Sequence, residues 1–272
     1  MGLLSKIFSN TRKPEGFFGR MMVNGMNGGS HARLAEWGLS FVDIVNNWDI
    51  LDIGCGGGAN IARLLALAPK GKVQGIDYSP VSVKKSQDVN ANAISAGRCK
   101  VQEGSAAALP YADGEFDLVT AFETVYFWPG IEECFRGVRR VLKEGGRFLI
   151  VNEDDGLTGN NEKWEKMIEG MHTYTPDELR THLTAAGFRN ITVHRRKAYE
   201  NLVENHAFGS GGRAVHGPLP FGPGRHQLLR QRIPRHLPCL THRRPRRLDV
   251  VAHPRPRRVP SRERRRRNVR LG

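Results

Sequence analysis

Hydrophobic positions follow two alternating patterns between residues 32 and 193. Short apolar runs predict strands at residues 50–53, 72–76, 99–102, 117–122, 147–151 and 190–193. Between them, apolar side chains three and four positions apart predict helices at residues 32–45, 60–66, 81–95, 131–142 and 176–186. Strands that alternate with helices pair in parallel through right-handed crossovers. The pattern therefore predicts an α/β fold with a doubly wound, mostly parallel sheet.

The two ends of the chain do not share this pattern. Residues 1–30 mix basic and apolar side chains with glycines, which predicts a flexible arm that can act as a lid. The alternation of strands and helices assigns residues 31–205 to one domain. Residues 206–272 are rich in Arg, Pro, His and Gly, and they hold no stretch of apolar alternation longer than 248–252. Such a segment cannot bury a core, so we expect a disordered tail and no further strand at the sheet edge.

Positive charge is concentrated in the predicted tail. The net charge is +15, and residues 207–272 hold 18 of the 42 basic residues with two acidic ones, which leaves 24 basic against 25 acidic residues elsewhere. A near-neutral domain argues against a nucleic-acid partner, although a basic tail that binds RNA is an alternative. A third interpretation is that the tail is not the native ending, since a shifted reading frame through GC-rich DNA yields this composition.

Cysteine spacing and hydropathy indicate the compartment. Cys55, Cys99, Cys134 and Cys239 form no CxxC pair and lie near no histidine cluster, so we expect no metal site. No apolar run approaches the roughly 20 residues that a membrane-spanning helix needs, and the N-terminus lacks a signal-peptide core. We therefore expect a soluble, reduced, cytoplasmic protein. The sequence carries no information on its oligomeric state.

Residues 50–60 carry the most informative chemical pattern, since a strand there runs into a glycine-rich loop and then a helix. Glycines in such a loop permit positive φ angles and let a ligand approach the backbone. Gly54, Gly56 and Ala59 also satisfy the dinucleotide fingerprint GxGxxG/A, which keeps a nicotinamide-dependent oxidoreductase open. Asp52, two residues before the first glycine, favours a cationic ligand over dinucleotide phosphates.

A second carboxylate, Asp77, ends the second predicted strand. An acidic residue about 20 positions beyond the glycine loop can bind both hydroxyls of a ribose. The alternative is that Asp77 only begins the next helix, because Ser79 and Pro80 follow it. Several kinds of nucleoside-binding protein use such an acid, so Asp77 points to a nucleoside without identifying it.

Four motifs stand in order along the chain, at residues 51–58, 75–79, 104–117 and 138–147. Together they resemble the class I S-adenosylmethionine (SAM)-dependent methyltransferases, in particular the subgroup like the ubiquinone and menaquinone biosynthesis enzymes. The resemblance covers about residues 37–195. It implies a Rossmann-like, seven-stranded sheet with SAM across the carboxyl ends of its first two strands. It also implies direct displacement of the sulfonium methyl by a small-molecule acceptor.

The resemblance also implies which residues bind the cofactor. In chain order they are Asp52, Gly54, Cys55, Gly56, Gly58, Asp77, Tyr78, Gly104, Ser105, Ala106 and Phe122. The residues from 52 to 58 would contact the methionine part of SAM, Asp77 the ribose, and Tyr78 the face of the adenine. Ser105 stands where many family members have Asp, so we expect the turn at 104–106 to meet the adenine edge through backbone groups.

No catalytic motif is expected, because SAM carries its own leaving group and the protein has mainly to align the acceptor and exclude water. Glu123 and Tyr126, on an aromatic rim at residues 122–128, are the candidate bases. The N-terminal arm and residues 152–174 are candidate lids. The sequence favours methyl transfer to a small molecule, with RNA methylation and nicotinamide-dependent oxidation as alternatives, and it does not identify the acceptor.

Overall fold

The computed structural model describes residues 29–157, 161–196 and 247–254. All of them belong to one compact unit. The predictions of an arm over residues 1–28 and of a disordered tail over residues 206–246 and 255–272 lie outside the described residues. Within the three described stretches, no helix is both long enough and apolar enough to cross a bilayer.

Seven strands of the described residues form one sheet. Five run parallel: β1 (Ile50–Ile53), β2 (Val73–Asp77), β3 (Cys99–Glu103), β4 (Phe116–Phe122) and β5 (Leu142–Asn152). The other two, β6 (Phe188–Arg196) and β7 (Arg247–Pro254), pair antiparallel with each other, and β7 also pairs antiparallel with β5. The spatial order is β3-β2-β1-β4-β5-β7-β6. The order reverses between β1 and β4, and doubly wound sheets bind ligands beside such a switch point.

Helices cover both faces of this sheet. They are α1 (Ser30–Leu39), α2 (Ala59–Leu67), α3 (Pro80–Val89), α4 (Ala91–Ser95), α5 (Ile131–Val141), α6 (Asn161–Met167) and α7 (Pro176–Ala185). Successive residues of β5 alternate between two buried clusters, with Phe148 in the cluster of α5 and α7 and Leu149 in the cluster of α1, α2 and α3. The predicted doubly wound α/β fold is therefore confirmed.

Two helices differ from the hydrophobic pattern. The single helix predicted at residues 81–95 is divided into α3 and α4 at Asn90, which leaves helical geometry (φ −107°, ψ 19°). Its side-chain amide donates to the carbonyl oxygens of Ser86 (2.9 Å) and Gly58 (3.0 Å), a local alternative to helical hydrogen bonding that asparagine favours. Helix α6 lies inside the candidate lid segment and is not predicted, because its seven residues NEKWEKM hold only two apolar side chains, Trp164 and Met167.

Strand β7 corrects the prediction for the C-terminal region. The expectation that no strand follows Arg196 is wrong, and so is the expectation of disorder for residues 247–254, which lie between β5 and β6. The apolar run at 248–252 is short, but five residue pairs with β5 and seven with β6 provide its backbone partners. These partners are distant in the sequence, so local composition does not reveal them.

Candidate functional site

A cavity of about 260 Å³ opens at the carboxyl ends of β1, β2 and β4. Its lining includes residues 54–57 of the glycine loop, 77–78 after β2, 104–106 after β3 and 122–124 after β4. The first half of α1 lines it as well. The cavity therefore lies at the switch point of the sheet, where three of the four sequence motifs meet.

The backbone of the glycine loop strongly favours glycine at three positions. Gly54, Gly56 and Gly58 have φ angles of 72°, 51° and 83°, in the left-handed region that other residues rarely adopt. A Cβ on Gly54 would lie 2.3 Å from the Thr124 methyl group, and one on Gly58 would lie 2.8 Å from the Ser86 Cα. A Cβ on Gly56 would meet nothing within 4 Å. Because Gly56 lines the cavity, its backbone is where a ligand can approach the loop most closely.

Asp77 accepts hydrogen bonds both at the start of α3 and from the glycine loop. Its Oδ1 accepts a hydrogen bond from the Ser79 N–H (2.9 Å) at the start of α3, and its Oδ2 accepts one from the Gly56 N–H (2.9 Å). It is only 7% exposed, and burial raises the pKa of its carboxyl group while the two N–H donors limit that rise. A carboxylate oxygen has more than one acceptor position, so Asp77 can support the loop and still accept ribose hydroxyls from the cavity.

Asp52 does not line the cavity. It is 1% exposed, and its Oδ1 accepts a hydrogen bond from the Thr120 hydroxyl at 2.7 Å. Burial raises the pKa of Asp52 to about 7, the Thr120 hydrogen bond opposes the rise, and the charge of Asp77 adds to it. Asp52 pairs in register with Thr120 of β4, and its side chain turns to this neighbour rather than into the cavity. The structure thus places Asp52, and likewise Gly58, outside the cavity wall.

The other nine residues assigned to the cofactor line the cavity. They are Gly54, Cys55, Gly56, Asp77, Tyr78, Gly104, Ser105, Ala106 and Phe122. Ser105 is exposed, and its hydroxyl accepts a hydrogen bond from the Ala107 N–H at 3.2 Å. The Ser105 side chain therefore stabilises its own turn.

The two candidate bases have different surroundings. Glu123 lines the cavity in a left-handed conformation (φ 59°), and its Oε1 accepts hydrogen bonds from the Glu153 N–H and from the Tyr126 hydroxyl (3.5 Å). Tyr126 is 5% exposed and lies outside the cavity wall. Burial raises the pKa of Tyr126 well above its usual value. A neutral, buried phenol is a poor base, so Glu123 is the better candidate.

Helices α1 and α2 contribute polar residues to the cavity wall that were not assigned to the cofactor from the sequence. His31 comes from α1, and Asn60 and Arg63 come from α2. The Arg63 Nη1 donates to the Asn60 Oδ1 at 3.1 Å. Their only signal in the sequence is the spacing of three positions that places Asn60 and Arg63 on one face of a helix.

Comparison with known proteins identifies relatives of this chain. It is 34% identical over 166 residues to the 27-O-demethylrifamycin SV methyltransferase of Amycolatopsis mediterranei, which covers 57% of this chain and 61% of that protein. It is 30% identical over 131 residues to the demethylmenaquinone methyltransferase of Lactiplantibacillus plantarum, covering 48% of this chain and 55% of the relative. The chain thus spans little more than half the length of these relatives.

Solved structures share the fold. A Haemonchus contortus N-methyltransferase in complex with phosphomonomethylethanolamine and S-adenosylhomocysteine superposes with a TM-score of 0.57 at 18% identity, covering 72% of this chain and 47% of that one. Residues 44–203, more than half of the chain, match the model of a methyltransferase domain family. The chain therefore belongs to this methyltransferase domain family, among the class I SAM-dependent methyltransferases.

Proposed function

We propose that this protein transfers the methyl group of SAM to a small-molecule acceptor by direct displacement at the sulfonium methyl. One observation carries the proposal: the Gly56 backbone, which is open to the cavity, donates to the buried Asp77 carboxylate that lines the same cavity. A closely approachable backbone beside a buried carboxylate supports the binding of a ribose at this point of the cavity. The two relatives, both named as methyltransferases, support SAM over a nicotinamide dinucleotide.

The residues of the cavity fit a nucleoside with an amino-acid side arm. Asp77 would accept the ribose hydroxyls, and the apolar side chains of Ile76 and Ala106, with the half-buried Tyr78, would contact the adenine. The loop from Gly54 to Gly57 would follow the methionine part. Neither an added metal nor a phosphate-binding group is needed for these contacts.

Bound SAM supplies a methyl group on a sulfonium leaving group. The apolar wall formed by Leu34, Ala35, Phe127 and Pro129 would hold the acceptor and exclude water from it. Glu123 lies next to this wall and would accept a hydrogen bond from an acceptor hydroxyl or amine. We also propose a cytoplasmic location, which the free, buried thiols of Cys55, Cys99 and Cys134 support.

The proposal is tested by calorimetric titration of S-adenosylhomocysteine into the full chain. We expect micromolar binding by the natural protein and loss of binding in Asp77→Ala, because the ribose loses its acceptor. Asp88→Ala is the matched control, since Asp88 is exposed on α3 and pairs only with Lys84. Absence of binding to a well-folded natural protein would contradict the proposal, and binding of NADH in its place would support an oxidoreductase.

A further inference from the structure

Arg63 is the one cavity-lining residue among those described that carries a permanent positive charge. It projects from α2, and its side chain is 25% exposed. The acidic groups of the same wall are Asp77 and Glu123. The cavity therefore has a cationic position on α2 that is separate from its carboxylates on the strand ends.

Neighbouring side chains orient the guanidinium without neutralising it. Asn60, one helical turn earlier, accepts a hydrogen bond from Nη1 at 3.1 Å. The Glu36 carboxylate lies 3.9 Å from Nε, at the limit of an ion pair, and Glu36 is 66% exposed. An exposed pair at that distance contributes little. Since a guanidinium has five N–H donors, Arg63 retains donors for a ligand.

The amino-acid end of SAM and of S-adenosylhomocysteine carries a carboxylate. Beside Asp77 or Glu123 this group would be repelled, whereas beside Arg63 and the N-terminus of α2 it would be attracted. We propose that Arg63 binds the carboxylate of the cofactor's methionine part, with Asn60 holding the guanidinium in position. This inference rests on the proposed function, since it assigns one contact within the SAM site.

A purely structural role for Arg63 makes a different prediction. If the residue only tethers α1 through Glu36, its loss loosens one wall of the cavity and weakens every ligand of the site to a similar degree. A contact with the carboxylate instead affects only ligands that carry this group. Comparing two ligands that differ in the carboxylate therefore separates the two roles.

The test is calorimetric titration of S-adenosylhomocysteine and of its decarboxylated analogue, S-adenosyl-3-thiopropylamine. We expect Arg63→Gln to weaken binding of S-adenosylhomocysteine by about 10- to 100-fold, the usual contribution of a hydrogen bond to a charged group. Binding of the analogue should change by less than about two-fold, since it offers no carboxylate. Arg63→Lys should weaken binding of S-adenosylhomocysteine less than Arg63→Gln does, because lysine keeps the positive charge without the paired donors of the guanidinium. Arg33→Gln, an exposed α1 residue outside the cavity wall, is the matched control.

Equal losses for both ligands, or no loss for either, in folded Arg63→Gln and Arg63→Lys would overturn the carboxylate contact and leave the proposed function standing. A natural protein that binds neither ligand would instead contradict the proposed function itself. Thermal unfolding of each variant establishes that it is folded. If Arg63→Gln does not fold, the same comparison in Arg63→Lys decides, because an unselective loss there also overturns the contact.

Discussion

Asp52 and Asp77 stand on neighbouring parallel strands, and both are almost completely buried. The charge of Asp77 contributes to the raised pKa of Asp52, because two nearby carboxylates oppose each other's ionisation. Only Asp77 faces the cavity. Asp77 accepts two backbone N–H hydrogen bonds, which favour its charged form, whereas Asp52 accepts one from a hydroxyl, so Asp52 is the carboxyl group that holds a proton more readily.

Replacing Asp52 should change how stability depends on pH. The unfolded chain has an Asp pKa of about 3.9, whereas burial raises the pKa of Asp52 to about 7 in the folded protein. The folded state thus holds the proton more tightly, and the free energy of unfolding decreases as pH rises from about 4 to about 7 and then levels off. Asp52→Asn keeps an acceptor for Thr120 and removes this decrease. We expect the variant to be more stable at pH 8 by a few kcal/mol.

Urea denaturation of both proteins from pH 4 to pH 8 measures this effect. The difference in unfolding free energy between the two proteins should be small at pH 4 and grow toward pH 7. The Asp88→Asn control, at an exposed position of α3, should show no such growth. A difference between natural protein and Asp52→Asn that stays constant with pH would contradict the prediction.

The sequence could locate some residues of the site and not others, because their positions depend on different features of the structure. The nine cavity-lining residues that the sequence assigned to the cofactor lie in contiguous motifs at strand ends, and their location follows from chain connectivity. Asp52 belongs to the same motif, but the direction of its side chain depends on the pairing of β1 with β4, which the motif does not specify. The spacing of Asn60 and Arg63 places both on one face of α2, but it does not show that this face lines the cavity, which depends on how α2 packs in the folded protein.

At the scale of elements, the glycine loop is fixed by helix α3. The break between α3 and α4 exposes the Asn90 amide to the Gly58 carbonyl, and Ser86 lies against the Gly58 Cα. The helix break at Asn90, which the hydrophobic pattern failed to predict, therefore holds the glycine loop in place. By contrast, the start of α3 is readable from the sequence, because Ser79 accepts from the Ser82 N–H and Pro80 follows as the first helical residue.

The contact between Gly58 and Ser86 predicts that two glycine substitutions with similar backbone φ angles lower the free energy of unfolding by different amounts. Gly58 (φ 83°) and Gly97 (φ 70°) both adopt left-handed conformations, but a Cβ on Gly97 would meet nothing within 4 Å. Gly97→Ala should therefore destabilise the protein by about 1 kcal/mol. Gly58→Ala should cost about 2 kcal/mol or more beyond that, because the helix backbone at Ser86 must move. Denaturant unfolding of both variants gives the comparison, and equal losses would argue against the contact.

At the scale of the whole molecule, one strand joins the parallel part of the sheet to its last strand. β7 pairs with β5 on one side and β6 on the other, so removing it separates β6 from the rest of the sheet. The parallel core, by contrast, was predictable because a helix precedes each of its strands except β4, which follows β3 through the loop at residues 104–115. The pairing of β7 was not, since residues 197–246 separate it from β6.

Truncation should distinguish β7 from the residues that follow it. A chain ending at Arg246 leaves the edges of β5 and β6 unpaired, and we expect a lower melting temperature and aggregation. A chain ending at Pro254 keeps every described strand and should melt like the full chain. Thermal unfolding and light scattering of the three proteins test this, and equal behaviour of the two truncated chains would show that β7 contributes nothing to the sheet.

The position of β7 in the sequence also means that it is synthesised well after β5 and β6, the strands it pairs with. A ribosome completes β6 50 residues before it begins β7 (residues 197–246), and at about 5–20 residues per second this takes roughly 3–10 s. During that interval β6 lacks its strand partner, and the outer edge of β5 is open to strands of other nascent chains. The last described strand to be synthesised thus belongs inside the sheet, and the edges that wait for it are what chaperones would have to protect.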